Sequence, residues 1–251
     1  MISRSECVAI IPSQDGMKEM DWLSLTHVCT NRAWHGPARQ GAAGLGTKRA
    51  ATGGDRVTPS CMAIIPAKGT SRRIPRKNFQ PCAGRTLVQR AVDCAIESGI
   101  FQTVIVSSED WEAWDGRCEF DLRDSKLSAD GVSVTAVVFD LLCRRQFRNN
   151  SFCVLWPTSP LRLPRHLREM WECFKLGEMK SLHSVDQNEQ HDGTAVFMRT
   201  QEFLRRLSLD YRRGDPCFVM VPEFVCDVNT PEDLAEAERR LLAREAQCQS
   251  S

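Results

Sequence analysis

Residues 64–78 read IIPAKGTSRRIPRKN, an apolar run that leads directly into a loop with one glycine and five cationic side chains. The run begins at Met62, and such a short apolar stretch is typical of a buried strand. In α/β folds, ligands bind beyond the carboxyl ends of the strands. Gly69 permits close approach of a ligand to the backbone, and the cations supply charge for phosphate groups. Residues 67–78, hereafter the cradle loop, are therefore predicted to bind a polyphosphate.

Two other interpretations of the basic and glycine-rich segments are weaker. A basic run can be a nuclear-localisation or nucleic-acid patch, but Ile74 and Pro75 interrupt this one and a strongly apolar strand precedes it. Residues 41–46 have the glycine spacing of a phosphate loop, yet Thr47 precedes Lys48, whereas the motif needs Lys followed by Ser or Thr. The nucleotide-binding prediction therefore depends on the cradle loop.

The composition excludes several classes of protein. With 251 residues, 42% of them hydrophobic, the chain can bury one sizeable core, and a net charge of +1 argues against a global basic field for nucleic acid or membranes. No apolar run of about 18 residues and no signal-peptide pattern occur, so we expect a cytoplasmic protein with no membrane partner. The 12 cysteines form no Cys-x-x-Cys pair, and those in apolar runs, such as Cys94, Cys143, Cys153 and Cys217, are expected to be reduced and buried.

From residue 61 onward, short apolar runs alternate with helical periods, which predicts an α/β domain with a mostly parallel sheet. The predicted strands are Met62–Ile65, Thr103–Ser107, Phe152–Leu155, Ser181–Val185, Ala195–Met198 and Phe218–Val221. The predicted helices are Thr86–Ser98, Asp130–Phe147, Pro164–Leu176 and Pro231–Ala246. Thr86 and Thr230 are expected to cap the first and last helices, and Gly99 to end the first.

Residues 1–60 differ in character and are predicted to be a poorly ordered extension before a domain of residues 61–251. Residues 36–56 contain eleven glycines or alanines and no sustained apolar period. Residues 7–12, CVAIIP, repeat CMAIIP of residues 61–66 at five of six positions, either by coincidence or as a fragment of a duplication. Translation from Met1 and from Met62 are both compatible with this pattern.

Four segments together carry a family resemblance. The cradle loop with its preceding strand, TVIVSSED at 103–110, LWPTSPLR at 155–162 and DVNTPEDL at 227–234 resemble, in order, motifs of the acylneuraminate cytidylyltransferases, also called CMP-sialic acid synthetases. That family includes relatives that activate pseudaminic and legionaminic acids. The resemblance spans about residues 61–241.

The resemblance implies a Rossmann-like nucleotidyltransferase fold, a three-layer sandwich around a mostly parallel sheet. It also implies that the chain joins CTP to an acidic nine-carbon 2-keto sugar with Mg²⁺ and releases pyrophosphate. The anomeric hydroxyl would attack the α-phosphate in line, while the protein positions the groups and neutralises charge on the phosphate oxygens.

The site residues follow from the same resemblance. The implied nucleotide-binding residues are Ala67, Lys68, Gly69, Ser71, Arg72, Lys77, Asn78 and Arg123. The implied catalytic residues are Lys68, Lys77 and Asp227. The implied sugar-binding residues are Trp156, Thr158, Ser159 and Arg162, and the implied metal ligands are Asp227, Asn229 and Asp110.

The chain departs from the family pattern at four places. Lys68 replaces an arginine, Trp156 replaces a glutamine, and Asn229 replaces the second metal-binding carboxylate. Residues 186–192 are short where the family has a longer insertion that supports a homodimer, so a homodimer is expected to be weakened. Two alternatives therefore stay open: a catalytically impaired nucleotide-binding homologue, and a related nucleotidyltransferase for another substrate, such as 3-deoxy-octulosonate or a molybdopterin.

Overall fold

The computed structural model describes residues 8–13, 16–20, 61–146, 150–177 and 179–249. Nine strands within these ranges form one mixed sheet. The strands are β1 Val8–Ser13, β2 Gly16–Met20, β3 Cys61–Pro66, β4 Pro81–Cys82, β5 Arg85–Thr86, β6 Thr103–Ser108, β7 Glu119–Leu122, β8 Ser151–Val154, β9 Ser181–Val185, β10 His191–Arg199 and β11 Cys217–Val219. The helices are α1 Leu87–Ser98, α2 Val134–Arg144, α3 Pro164–Leu176, α4 Thr200–Arg206 and α5 Pro231–Gln249. The strand order is β2-β1-β11-β9-β10-β8-β3-β6-β7, and β4 pairs with β5 in a separate two-stranded sheet.

The direction of the strands confirms the predicted α/β class. β3 is parallel to both β6 and β8, β6 is parallel to β7, and β9 is parallel to β11. β10 is antiparallel to both of its neighbours, β8 and β9. From β11 to β7 in the strand order, the sheet is therefore mostly parallel, and β10 is the one strand that runs in the opposite direction.

Two hydrophobic clusters, one on each face of the sheet, make the three layers. β3 is buried at every residue, and its side chains alternate between the faces, as in any strand covered on both sides. Ala63 and Ile65 belong to a cluster with residues of α1 and α3, whereas Met62 and Ile64 pack with residues of α2 and α4. The domain is thus a helix–sheet–helix sandwich, as the sequence predicts.

A third, smaller cluster positions the loops at the carboxyl ends of the strands. Ile74 of the cradle loop packs with Leu161, Val228 and two residues of α5, Ala237 and Leu241. Ile74, which interrupts the basic run in the sequence, therefore holds the cradle loop against this cluster by apolar packing.

Most predicted boundaries agree with the structure. Thr86 caps α1 by accepting a hydrogen bond from the Gln89 amide, and Gly99 ends that helix at a φ of 67°. α3 has the predicted bounds, and Thr230 accepts a hydrogen bond from the Asp233 amide at the start of α5.

Other predicted boundaries were wrong. The helix predicted from Asp130 begins at Val134, because Ser133 caps it, and Asp130 lies in the preceding loop. Phe147, its predicted end, lies outside the described residues. β10 begins four residues before the predicted Ala195, and β11 ends at Val219 rather than Val221.

Part of the predicted extension, residues 1–60, forms strands. β1 pairs antiparallel with β2 and with β11, which places residues 8–13 beside the strand at one end of the α/β sheet. The rest of residues 1–60, including 36–56, lies outside the described residues, so its predicted poor order stays a prediction.

The cysteines and the helices bear on two smaller expectations. The nine cysteines with described side chains are free, and Cys94, Cys153 and Cys217 are buried, but Cys143 is exposed on α2, contrary to the prediction. None of the helices in the described ranges combines the length and the apolar character that a membrane crossing requires.

Candidate active site

A cleft of about 430 Å³, hereafter the cationic cleft, opens beyond the carboxyl ends of β3 and β8. Nine of the predicted site residues line it, namely Lys68, Ser71, Arg72, Lys77, Asn78, Arg123, Trp156, Thr158 and Asn229. The fold thus brings together residues from four separate segments at the edge of the sheet where α/β folds bind ligands.

The cradle loop takes its shape from a strained turn at Arg76. This residue has a φ of 50°, a left-handed conformation that is uncommon outside glycine. Its guanidinium bonds to Asp110 at 3.1 Å and lies 4.8 Å from the centre of the Phe79 ring, which holds the turn in place. The buried Asn78 donates to the Lys68 carbonyl at 2.9 Å and so closes the loop on itself.

Lys77 joins the cradle loop to the DVN segment, 227–229. Its Nζ donates to the Val228 carbonyl at 2.8 Å and to Oδ1 of Asn229 at 3.2 Å. Burial lowers the pKa of Lys77, and the nearby Asp227 carboxylate opposes that shift. A cation is therefore fixed beside the exposed carboxylate of Asp227.

Glu109 organises the other side of the cradle loop, although the sequence analysis assigned it no role. It accepts from the Gly69 amide at 2.8 Å and from Arg123 at 3.1 Å, and Ser128 also donates to it. Burial raises the pKa of Glu109, but the hydrogen bonds and the Arg123 charge outweigh burial and lower it overall. A Cβ on Gly69 would lie 3.3 Å from a carboxylate oxygen of each of Glu109 and Asp110, so glycine fits this close approach.

Asp130 is a second site residue without a predicted role. Its carboxylate accepts from Nε of Arg72 at 2.7 Å and lies 3.4 Å from Nζ of Lys68. The hydrogen bond and charge of Arg72 hold the pKa of Asp130 below its usual range. Two cations of the cradle loop thus share one carboxylate across the mouth of the cationic cleft.

The predicted metal ligands divide into a pair and a separate residue. Asn229 donates from Nδ2 to Oδ2 of Asp227 at 2.7 Å, and its Oδ1 accepts from Lys77. Asp110 does not line the cationic cleft, because its carboxylate bonds to Arg76 and to the Glu112 amide. Across the described ranges, no three His, Cys, Asp or Glu side chains form a potential metal cluster.

Three of the other predicted residues lie beneath the cationic cleft. Arg162 is buried and donates to the carbonyls of Thr194 and Trp156, and the buried Ser159 hydroxyl donates to the Asp192 carbonyl. The Ala67 amide donates to the Ser107 carbonyl at 2.9 Å, which extends the β3–β6 pairing. The guanidinium of Arg162 is therefore committed to backbone groups and supports the site from below.

A second cavity of about 930 Å³, hereafter the polar pocket, shares Trp156 and Val134 with the cationic cleft. Its other lining residues include Ser133, Thr135, Gln187, Asn188, Glu189, Gln190, His191, Asp210, Tyr211 and Arg213. The Trp156 and His191 rings lie 4.9 Å apart, and burial lowers the pKa of His191. The two cavities therefore lie on either side of Trp156 and Val134.

A distortion in β10 brings the polar pocket close to the DVN segment. The pairing of β10 with β9 shifts register between His191 and Val196. Within that bulge Gly193 has a φ of 72°, and a Cβ there would lie 3.0 Å from the Ser159 hydroxyl and 3.9 Å from the Asp227 carboxylate. The short segment before the bulge closes as a turn, in which the Asp186 amide donates to the Gln190 carbonyl at 2.8 Å.

Comparisons with known proteins identify the family of this chain. The family model described as cytidylyltransferase matches residues 62–218. A pseudaminic acid cytidylyltransferase of Campylobacter jejuni is 28% identical over 218 residues, which cover 70% of this chain and 94% of that protein. The CMP-N,N'-diacetyllegionaminic acid synthase of Legionella pneumophila is 31% identical over 46% of this chain and 53% of its own length. An N-acylneuraminate cytidylyltransferase of Streptococcus agalactiae is 32% identical over 54% of this chain and 33% of that protein.

Solved structures share the fold at low sequence identity. A CMP:2-keto-3-deoxy-manno-octonic acid synthetase complexed with CTP superposes with a TM-score of 0.61 at 13% identity, over 74% of this chain and 99% of that one. Rv0371c of Mycobacterium tuberculosis in complex with manganese superposes with a TM-score of 0.53 at 14% identity, over 72% of this chain and 99% of that one. These two matches establish the architecture of the sandwich that carries both cavities.

Proposed function

The chain belongs to the cytidylyltransferase family, and from that premise we propose that it joins CTP to an acidic nonulosonate sugar and releases pyrophosphate. The observation that carries this proposal is the contact of Lys77 with the DVN segment at the floor of the cationic cleft. It unites the cradle loop and the C-terminal motif, the two segments with the chemistry for a nucleoside triphosphate. The pseudaminic, legionaminic and sialic acid enzymes among its relatives support the substrate class.

The triphosphate would occupy the cationic cleft. Lys68, Arg72, Arg73 and Lys77 all line it, and Arg72 and Lys68 lie at its mouth beside Asp130. Such cations bind phosphate oxygens through charge-assisted hydrogen bonds. Ser71 and Thr70 offer hydroxyl groups in the same wall, and Arg123, which pairs with Glu109, would contact the nucleoside.

Catalysis in this arrangement is positioning and charge neutralisation. The sugar hydroxyl attacks the α-phosphate in line and pyrophosphate leaves, so negative charge shifts toward the leaving oxygens. Lys77 is preorganised by two oxygen acceptors of the DVN segment, and a fixed cation near the reacting phosphate stabilises that charge without rearrangement. Lys68 and Asp227 complete the proposed catalytic group.

The oxygen donors of Asp227 and Asn229 fit a divalent cation, which we propose to be Mg²⁺. Asp227 is exposed with a carboxylate oxygen free of Asn229, whereas Oδ1 of Asn229 is shared with Lys77. Mg²⁺ is usually held by one or two carboxylates together with substrate phosphates, and it supplies positive charge to those phosphates. With one carboxylate in the pair, the nucleotide itself would provide most of the binding.

The acceptor sugar would bind in the polar pocket, with Trp156 as the wall shared with the cationic cleft. Its amide and hydroxyl side chains, from Ser133, Thr135, Gln187, Asn188 and Gln190, suit the hydroxyl and acylamino groups of a nonulosonate. Arg213 is the cation among its described lining residues and would receive the sugar carboxylate. Thr158 lies in the cationic cleft beside Trp156, while Ser159 and Arg162 would support these residues from below.

We also propose a cellular setting and an oligomeric state. An enzyme that consumes CTP to make a nucleotide sugar would act in the cytoplasm. A homodimer would be weakened by the short turn Asp186–Gln190, and sedimentation of the purified chain would test that expectation.

The test is incubation of the chain with CTP, Mg²⁺ and one sugar at a time. Pseudaminic, legionaminic and N-acetylneuraminic acids are the expected acceptors, and 3-deoxy-octulosonate tests the related-enzyme alternative. Pyrophosphate release together with a CMP-sugar product supports the proposal. Tight CTP binding without turnover on any sugar would instead support the impaired homologue, which Asn229 in place of a carboxylate favours.

A further inference from the structure

Asp130 is the acidic side chain among the described residues that line the cationic cleft. It contacts Arg72 at 2.7 Å and Lys68 at 3.4 Å, two of the cations proposed to hold the phosphates of CTP. A phosphate group that binds to these cations would compete with a carboxylate already bound to them. At the mouth of the cleft, the Asp130 carboxylate therefore binds the same cations that an anionic ligand would bind.

The position of Asp130 is not explained by helix capping. Ser133 caps α2, and its hydroxyl accepts from the Ala136 amide at 3.3 Å. Gly131, with a φ of 85°, turns the chain directly after Asp130. Before Asp130, Ser128 anchors the same loop by bonds to Glu109 and Arg123. The loop is thus anchored before Asp130 and turns directly after it, and the carboxylate contacts the cradle loop.

The ion pairs are weak enough to be displaced. The side chains of Asp130, Lys68 and Arg72 are 49%, 38% and 80% exposed, and ion pairs this exposed are screened by salt and individually contribute little. A triphosphate, with several anionic groups, can replace one carboxylate readily. After the reaction, the same carboxylate competes with the pyrophosphate that remains on these cations.

We propose that Asp130 is a positioning residue that lowers the affinity of the cationic cleft for pyrophosphate and so promotes its release. This inference rests on the proposed function, because that reaction supplies pyrophosphate as the product. It assigns Asp130 no contact with the reacting atoms. The cytidine monophosphate portion has a single phosphate group, so its binding should depend less on Asp130.

The experiment compares Asp130→Asn with Asp124→Asn by calorimetry. Asp124 belongs to the same loop and is also exposed, but its carboxylate caps the turn at the Lys126 amide, 2.9 Å away, and does not line the cleft. Both variants remove one negative charge, and asparagine retains an oxygen for capping. Pyrophosphate and CMP are titrated separately, without metal, at low and at high salt.

In Asp130→Asn we expect pyrophosphate to bind about three- to tenfold tighter at low salt, the range for the loss of two exposed ion pairs. CMP should change by less than about twofold, as should both ligands in Asp124→Asn, and salt should shrink the gain for pyrophosphate. In an Arg72→Gln background, the Asp130→Asn substitution should give a smaller gain, because one of its partners is gone.

Three results would overturn the inference. Unchanged or weaker pyrophosphate binding in Asp130→Asn would mean that Asp130 does not compete with phosphate, or that it orients Lys68 and Arg72 for binding. Equal tightening in Asp124→Asn would assign the effect to net charge rather than to contact. If the wild-type chain binds pyrophosphate and CTP, these outcomes leave the proposed function standing; if it binds neither, both proposals fail.

Discussion

The cationic cleft and the polar pocket share Trp156, yet they are built in different ways. The cleft takes eight of its lining residues from the end of β3 and the cradle loop, and the others from residues 123–137, from residues 156–158 and from Asn229. The polar pocket combines a turn, a bulged strand and the loop after α4, from residues far apart in the sequence. The phosphate binding proposed for the cleft thus depends largely on cations of one continuous loop, whereas the acceptor site proposed for the polar pocket depends on how distant segments pack.

The largest expected effect is in the cleft. Lys77→Ala should lower the turnover number at least about a hundredfold, because loss of one preorganised donor to a transition state typically removes ~3 kcal/mol. Steady-state kinetics with saturating CTP would measure it. Lys175→Ala is the control, since Lys175 pairs with Glu172 on α3 and does not line the cleft. Near-normal turnover in Lys77→Ala would show that Lys77 of the cradle loop takes no part in the reaction.

The next effect tests the bulge in β10, which lies beside Ser159 and Asp227. Gly193→Ala should destabilise the fold by about 1–2 kcal/mol from its left-handed backbone, and more from the contact with Ser159, 3.0 Å from the added Cβ. Turnover of the sugar should also fall, because β10 would shift beside Asp227.

Gly116→Ala is the matched control for that substitution. Gly116 has a φ of 82°, and a Cβ there meets nothing within 4 Å. Chemical unfolding should show the backbone destabilisation in both variants and the larger loss only at Gly193. Equal stability losses and equal turnover in the two variants would contradict a close packing of the bulge against the site.

A smaller effect is expected in the polar pocket. Arg213→Ala should raise the KM for the acidic sugar about tenfold, the loss of one charge-assisted hydrogen bond, and leave the KM for CTP unchanged. Arg212→Ala is the control, because Arg212 is the adjacent exposed arginine and does not line the pocket. If both KM values moved together, or if the control matched Arg213→Ala, the two cavities would not divide the substrates as proposed.

The contrast between local patterns and long-range packing also explains how much of the fold could be predicted from the sequence. β3, β6, β9, α1 and α3 were predicted closely, because local apolar patterns and caps such as Thr86 and Gly99 define them. β7 was missed, since it has four residues, lies at the edge of the sheet and has only one buried residue. α4 was missed as well, because its seven residues carry no helical period long enough to detect.

In the site, too, residues within motifs were predicted from the sequence, whereas contacts between distant residues were not. The motifs assigned Lys77 to the phosphates and Asn229 to the metal, and the contact between these two residues, 152 positions apart, was not predicted. The partners of charged residues were not anticipated: Arg162 was predicted to reach the sugar, but its guanidinium is buried against carbonyls. Glu109 and Asp130 acquire their roles from partners that folding places beside them, which are Arg123, Gly69 and Ser128 for Glu109 and Arg72 and Lys68 for Asp130.

The central claim is that the cationic cleft is a site for CTP, and nucleotide titration by calorimetry tests it most directly. With Mg²⁺ present and no sugar, wild-type protein should bind CTP at least about tenfold tighter than UTP or ATP, a difference of about 1.4 kcal/mol. Lys77→Ala should weaken the binding of CTP. Equal affinity for the three nucleotides, or no binding of CTP, would contradict the assignment of this chain as a CTP-dependent enzyme.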